Sequence, residues 1–365
     1  MSVDEKATPV TTGMRAFDAA GSAYRAVFAR SPLAGLLSHA NPRRREGYRI
    51  PVRVHAIRDE ADGVRSFALR SRDGAPLPSW NPGAHVDVFL PGGRQRTYSL
   101  CGAPEDRSTY RIAVRRLDDG DGGSVAMHQL SEGDELEIQG PRNAFPFHTA
   151  PSYHFIAGGI GITALLPMIR RAEETGARWS LVYLGRSRAA LPFLAELEDL
   201  DAGRGRVVVL VDDVHGRPDI VPLVARAEPG ASVYMCGPPP IMTTARGVIR
   251  SVNPAASLHT ERFSPPGVSG GQPFTVSVVG LSEPIEVAAD QTMLEAVREV
   301  VPEVQFSCRQ GVCGSCRTRV VSGEIDHRDH RLSPYERDEN MLICVSRAAG
   351  SAITVDLTDA LERRM

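Results

Sequence analysis

The run Cys308-Arg309-Gln310-Gly311-Val312-Cys313-Gly314-Ser315-Cys316, with Cys344 further on, decides how this chain is read. Four residues separate the first two cysteines, two separate the next pair, and the fourth lies well downstream. That is the spacing of plant-type [2Fe–2S] sites, in which thiolates from one tight loop reach two irons. Gly311 and Gly314 let the loop bend so that backbone amides can point at sulfur. A structural zinc site is the alternative, but such sites usually pair two short Cys-x-x-Cys knuckles, and one is present here. Cys101 and Cys236 stand alone, so metal chemistry is expected only near the C-terminal end. Six cysteines in 365 residues are too few for a disulfide-held secreted scaffold.

Upstream of the cysteine run, Phe274 to Val279, Ile285 to Ala288 and a helix near Met293 to Val301 lead into the loop, and strands are expected again at Arg317 to Val321 and Ile353 to Asp356. A compact α+β module over 273–365 follows from this pattern. The turn-rich stretch Ser264-Pro265-Pro266-Gly267-Val268-Ser269-Gly270-Gly271 precedes it and reads as a linker, 264–272. Over 152–263, strands at Tyr153 to Ala157, Ser180 to Leu184, Val207 to Val211 and Ser232 to Cys236 alternate with helices from Ala164 and near Phe193 to Leu200. Such alternation marks a parallel α/β sheet. Over 49–151, six β-rich runs without intervening helices (Ile50 to Ile57, Val64 to Arg70, His85 to Leu90, Arg96 to Cys101, Tyr110 to Arg115, Glu135 to Gln139) suggest a small antiparallel barrel or sandwich. In 1–48, Met14, Phe17, Gly21, Tyr24 and Phe28 recur at helical spacing before Pro42-Arg43-Arg44-Arg45, giving a packing helix and a linker to which no chemistry is assigned. No internal repeat is evident.

Composition removes several function classes. Forty-two basic against 44 acidic residues give a net charge of -2, so nothing favours nucleic acid or an anionic membrane as the main partner. No apolar run approaches the ~20 residues of a bilayer span. The start, Met1-Ser2-Val3-Asp4-Glu5-Lys6, lacks the basic flank and apolar core of a secretory signal. A cytoplasmic protein is expected.

Other motifs carry chemistry of their own. Gly158-Gly159-Ile160-Gly161-Ile162-Thr163-Ala164 lies between a strand and a helix, where amides and a helix N-terminus suit a pyrophosphate; a structural glycine turn is the bland reading. The acid that would bind an adenine ribose after the next strand is missing, and Leu184-Gly185-Arg186-Ser187-Arg188 stands there. Arg186 and Arg188 would accept a 2′-phosphate and so lean toward NADPH, or they contact pyrophosphate or adenine, or are solvated. Cys236-Gly237-Pro238 ends a buried-looking strand, so Cys236 either faces a nicotinamide ring or is a small buried hydrophobe. Arg96-Thr97-Tyr98-Ser99 sets a cation, a ring and a hydroxyl on one extended segment; strict alternation puts Arg96 and Tyr98 on one face and Ser99 on the other. Gly120-Asp121-Gly122-Gly123-Ser124 opens a short helix suited to phosphate, or is an ordinary loop. His327-Arg328-Asp329 lacks the rest of a kinase set, since Pro334 stands where its asparagine belongs. Asp212, Asp213 and His215 read as a solvated acidic turn.

In combination and order, these motifs resemble the phthalate dioxygenase reductase family, which includes vanillate demethylase reductase subunits, over roughly residues 49 to 365. The resemblance implies an FMN-binding antiparallel β-barrel, a ferredoxin reductase-like α/β nucleotide domain and a β-grasp [2Fe–2S] ferredoxin domain. It implies that Arg96 pairs with the flavin phosphate, with Gly122, Gly123 and Ser124 cradling it, and that Tyr98 packs on the flavin, beside Thr97. Ser99 would sit near flavin N5, and Cys236, followed by Gly237 and Pro238, by the nicotinamide. Gly159, Gly161 and Thr163 would support the dinucleotide. Ala164 departs from the proline usual after the glycine motif, and 1–48 is additional. The family implies NADH, against the arginine argument, with NADPH still possible. It also implies a separate Rieske-type oxygenase as partner; a cytochrome P450 is the alternative, and a cluster-holding redox sensor a more distant one. A hydride brings two electrons together and a [2Fe–2S] cluster takes one, so a flavin between them explains the domain set. No Cys-x-His pair or facial triad suggests an oxygenase iron in this chain. A monomer is expected.

Overall fold

The computed structural model describes residues 49–91 and 93–363, and the amphipathic helix expected around Met14 to Phe28 lies outside them. Three sheets succeed one another. The first is antiparallel and built from β1 (Arg49–Ala61), β2 (Val64–Ser71), β3 (Ala84–Leu90), β4 (Arg94–Ser99), β5 (Tyr110–Arg115) and β6 (Glu135–Asn143), in the order β4-β3-β6-β1-β2-β5. Its two edges curl toward each other, since the Cys101 amide just past β4 donates to Arg111 O of β5 at 2.8 Å. The result is an antiparallel half-barrel. Alternation along β3 and β4 sends Val86 and Val88 into its buried core with Tyr98 against them, leaving His85, Asp87, Thr97 and Ser99 on the other face. A short helix, α1 (Gly123–His128), lies between β5 and β6.

The second sheet is wholly parallel: β7 (Ser152–Gly158), β8 (Arg178–Gly185), β9 (Val207–Val211), β10 (Ser232–Cys236) and β11 (Ser257–Glu261), ordered β11-β10-β7-β8-β9. Chain order reverses between β7 and β10, which makes their carboxyl ends the switch point where such sheets bind ligands. Helix α2 (Ile162–Glu174) covers one face, packing Leu165, Met168 and Ile169 with Phe155 and Tyr183. The other face carries Ile156, Val182 and Val233 under α5 (Ile220–Ala225) and α6 (Pro239–Val252). Burial on both faces explains why β7 and β10 read as continuous apolar runs. Helices α3 (Leu194–Asp201) and α4 (Asp212–His215) complete this layer. The α2 helix begins two residues earlier than expected, after a 3₁₀ turn at Gly159–Gly161. Helix α6 and strand β11 were not anticipated: prolines open the first, and the mixed Ser-Leu-His-Thr-Glu sequence of the second lacks apolar alternation.

The third sheet is mixed, from β12 (Phe274–Val278), β13 (Ile285–Val287), β14 (Arg317–Ser322), β16 (Asn340–Leu342) and β18 (Ala352–Asp356), ordered β13-β12-β18-β14-β16; β15 (Ile325–Asp326) and β17 (Arg347–Ala348) pair separately. Helix α7 (Met293–Val300) packs Met293, Leu294 and Val297 on it, its start set by a capping box between Thr292 and Glu295. Short helices α8 (Pro334–Arg337) and α9 (Thr358–Glu362) complete it, α9 adding Ala360 to its core. No described helix is long and apolar enough to cross a membrane.

Candidate functional site

The glycine motif after β7 and the Cys236-Gly237-Pro238 motif after β10 come together at the switch point. A Cβ on Gly161 would stand 2.3 Å from Cys236 O, and one on Gly158 would stand 2.7 Å from the Pro238 ring. Glycine is required here for two loops to lie against each other, whatever else they hold. Thr163 is buried, and its hydroxyl donates to Ile160 O at 2.9 Å, closing the turn. Tyr183 Oη donates to Gly159 O at 3.2 Å and steadies the same loop. Arg188 is ion-paired with Glu198 of α3, whereas Arg186 is exposed and its carbonyl accepts from the Asp213 amide at 3.1 Å. The acidic turn Asp212-Asp213 therefore adjoins Arg186.

Two sequence-distant clusters also meet in the half-barrel. Arg96 Nη2 donates to Asp121 O at 3.2 Å, and the Arg96 side chain lies against Gly123, where a Cβ would stand 2.2 Å from Nε. Gly122 caps α1 with φ +75°, and Ser124 Oγ accepts from the Leu117 amide at 3.0 Å. A guanidinium beside the glycine start of a helix suits a phosphate. Tyr98 is packed on the barrel core, and burial pushes its phenol up. Thr97 and Ser99 face the opposite way, as strand alternation requires.

That opposite face forms a wall of a cavity of about 390 Å³. Thr97 and Ser99 come from the first sheet, Glu261 and Phe263 from the end of β11, and Cys308 and Cys344 from the cysteine module. All three sheets thus border one space. Cys236 is 1% exposed and does not line it; burial, then the charge of Glu261, pushes its thiol up. Its parallel register partner Glu261 does line it, half-buried with Oε2 hidden and unpartnered, and burial pushes that carboxyl up to about 8. Phe263, 47% exposed at the same wall, offers a face on which a planar ring can stack. Sequence reasoning missed both residues, having placed no strand after Ser232 to Cys236 in 152–263. The available signal was an acid and an aromatic at the carboxyl end of a strand.

The four cysteines of the last module are brought together in two pairs. Cys308 lies beside Cys313, and Cys316 beside Cys344. The neighbouring thiol and burial push Cys308 and Cys344 up, while the neighbouring Cys308 and the Ser315 amide hold Cys313 down. Amides converge on sulfur: Gln310 N–H reaches Cys308 at 3.4 Å and Ser315 N–H reaches Cys313 at 3.5 Å. Positive φ at Arg309, Gly311 and Gly314 turns the loop this way. Two cysteine pairs inside a nest of amides fit the two irons of a [2Fe–2S] cluster, each iron held by one pair. The His327-Arg328-Asp329 run has a supporting role: buried Asp329 accepts from the Leu332 amide at 2.9 Å, and its Cα backs Gly311. Asp212, Asp213 and His215 form the short α4, with both aspartates exposed.

A family model described as a 2Fe-2S iron-sulfur cluster binding domain matches residues 277–349. Phthalate dioxygenase reductase of Burkholderia cepacia is 38% identical over 306 residues, covering 81% of this chain and 94% of its own. The chain belongs to the phthalate dioxygenase reductase family. The crystal structure of a phthalate dioxygenase reductase, described as modular for electron transfer from pyridine nucleotides to [2Fe–2S], matches with TM-score 0.64 at 36% identity, covering 85% of this chain and 98% of that one. An intact type IV self-sufficient cytochrome P450 monooxygenase matches with TM-score 0.68 at 35% identity, over 90% of this chain and 44% of that longer one. As a member of the phthalate dioxygenase reductase family, the chain is an NAD(P)H-dependent flavin and iron–sulfur oxidoreductase, a reductase component of oxygenase systems. FMN, NADH and one [2Fe–2S] cluster are its cofactors.

Proposed function

We propose that this chain takes electrons from NADH through FMN to its [2Fe–2S] cluster and delivers them to a separate Rieske-type non-haem iron oxygenase. When bound, FMN would supply the conversion of the two electrons of one hydride into single electrons for the cluster. Arg96, with Gly122, Gly123 and Ser124, would hold the FMN phosphate; Thr97, Tyr98 and Ser99 would seat the flavin, with Ser99 facing the cavity. Gly159, Gly161 and Thr163, with Gly237 and Pro238, would shape the dinucleotide crevice; Cys236 would back the nicotinamide and Arg186 and Arg188 would lie by the adenine end. Cys308, Cys313, Cys316 and Cys344 would ligate the cluster. The matching divisions are 49–151 for FMN, 152–263 for the dinucleotide, 264–272 as linker and 273–365 for the ferredoxin, after the 1–48 extension. A cytoplasmic monomer suits a diffusible carrier of this kind.

The observation that carries this reading is the shared cavity: Ser99, Glu261, Cys308 and Cys344 border one space, so groups bound by three domains would meet there. A sensor that merely holds a cluster has no use for such a junction. The similarity to the P450 monooxygenase supports a second reading, with a cytochrome P450 as acceptor. Anaerobic titration of the purified holoprotein with NADH tests the internal route. Flavin and cluster absorbances should both bleach, and a cluster that stays oxidised while flavin bleaches would defeat it. Reconstitution with a Rieske oxygenase or a P450 then separates the two acceptors.

A further inference from the structure

Asp87, in the middle of β3, has a completely buried side chain and is shared between two domains. Its Oδ2 pairs with Arg142 of β6. Its Oδ1 accepts from Thr97 Oγ1 at 2.7 Å and from Ser307 Oγ at 2.8 Å. Thr97 is its neighbour on β4 and belongs to the half-barrel, but Ser307 belongs to the cysteine module and immediately precedes Cys308. The adjoining contacts bind the same short segment: His85 Nε2 lies 3.3 Å from Ser307 Oγ, and Gln95 Nε2 donates to Phe306 O at 2.7 Å.

A buried carboxylate is costly unless fully paired, and here pairing is completed only when the two domains are closed on each other. Ser307 is 4% exposed, so water cannot replace its hydroxyl without parting the interface. The covalent connection between these domains runs through the second domain and the Pro- and Gly-rich stretch after Arg262, which is tied to the cysteine module by Gln310 Nε2 donating to Arg262 O at 2.6 Å and makes no hydrogen bond to Ser307 among the described residues. We infer that Asp87 is a positioning residue for electron transfer between domains: through Ser307 it anchors the start of the cluster loop and so sets how Cys308 stands against the Ser99 wall of the half-barrel. The inference rests on the reductase reading above.

Stopped-flow mixing of the holoprotein with NADH resolves flavin bleaching from the cluster bleaching that follows. Ser307→Ala trims one hydroxyl and leaves the Asp87, Arg142 and Thr97 contacts in place. It should slow cluster bleaching about tenfold, as misplacement of reacting groups does, while flavin bleaching and the reduced-cluster EPR spectrum stay those of the parent. Ser307→Thr, which keeps the hydroxyl, should restore the rate. Asp87→Asn, which keeps an acceptor at Oδ1 but removes the charge that strengthens its bond to Ser307, should slow the same step, and the double variant should be no slower than the slower single one, because both changes act on that contact. Cluster bleaching at the parental rate in Ser307→Ala, with full cofactor content, overturns the inference even if Asp87→Asn does not fold. Failure of the parent itself to bleach its cluster would instead defeat the reductase reading and the inference with it.

Discussion

Cys236 and Glu261 stand side by side as register partners at the carboxyl ends of parallel strands β10 and β11, the cysteine buried and the carboxyl half-buried with its Oε2 hidden from water. Neither has an opposite charge to settle it. The thiol is therefore kept neutral, and the carboxyl, with Oε2 unpartnered and its pKa pushed up to about 8, carries a proton at neutral pH.

A pH dependence of stability follows from Glu261. Between its ordinary value of 4.5 and about 8, the folded chain keeps a proton that the unfolded chain has lost. Stability attributable to this group therefore falls as pH rises through that window and is level above it. Glu261→Gln should remove the fall, so that the variant gains on its parent most above pH 8, by about 2–4 °C in Tm for each kcal/mol recovered. Thermal melts across pH decide it; a constant offset between the two proteins would show that Glu261 is not the titrating group.

Removing a ligand thiol should separate the two halves of the electron route. Cys344→Ala is expected to lose the cluster absorbance and the reduced-cluster EPR signal but to keep NADH-dependent flavin bleaching, because Cys344 lies outside the half-barrel and the parallel sheet. A normal EPR signal in that variant would exclude Cys344 as a ligand.

Flavin affinity should depend on Arg96 and on the space beside it. If Arg96 holds the FMN phosphate as proposed, Arg96→Ala should weaken FMN binding about 10–100-fold, the effect of losing a charge-assisted hydrogen bond. Gly123→Ala should act in the same direction without removing charge, since its Cβ would stand 2.2 Å from Arg96 Nε. Fluorescence titration of the flavin-stripped protein measures both, and chromatography of the heat-released flavin identifies it as FMN.

NADH should be preferred to NADPH, with kcat/KM higher by at least about tenfold, or 1.4 kcal/mol. Arg188 is already paired with Glu198, and the acidic Asp212-Asp213 turn sits beside Arg186, so a 2′-phosphate would meet one occupied cation and added negative charge. Arg188→Ala should therefore change the coenzyme ratio little. Steady-state kinetics with both coenzymes check this, and a parent that favours NADPH would reverse the assignment.

The cysteine spacing, the strand–helix alternation of the second domain and the strand runs of the first were legible in sequence because each is local, although a short helix, α1, interrupts the strands that were expected to follow one another without helices. Ligand spacing, apolar period and turn residues act within a few positions of one another. Alternation even assigned the faces of Arg96, Tyr98 and Ser99 correctly, since side chains on a strand must point to opposite sides in turn. What depended on tertiary structure was contact between segments far apart in the chain. Arg96 meets Gly123, Cys236 meets Gly161, and Ser307 meets Asp87 across 220 positions, and no periodicity records such pairs. Glu261 and Phe263 gain their place only because β11 adds to the sheet edge beside β10. Burial and pairing are properties of the folded surroundings. A carboxyl such as Glu261 reads as any surface acid until the fold removes its water and supplies no partner.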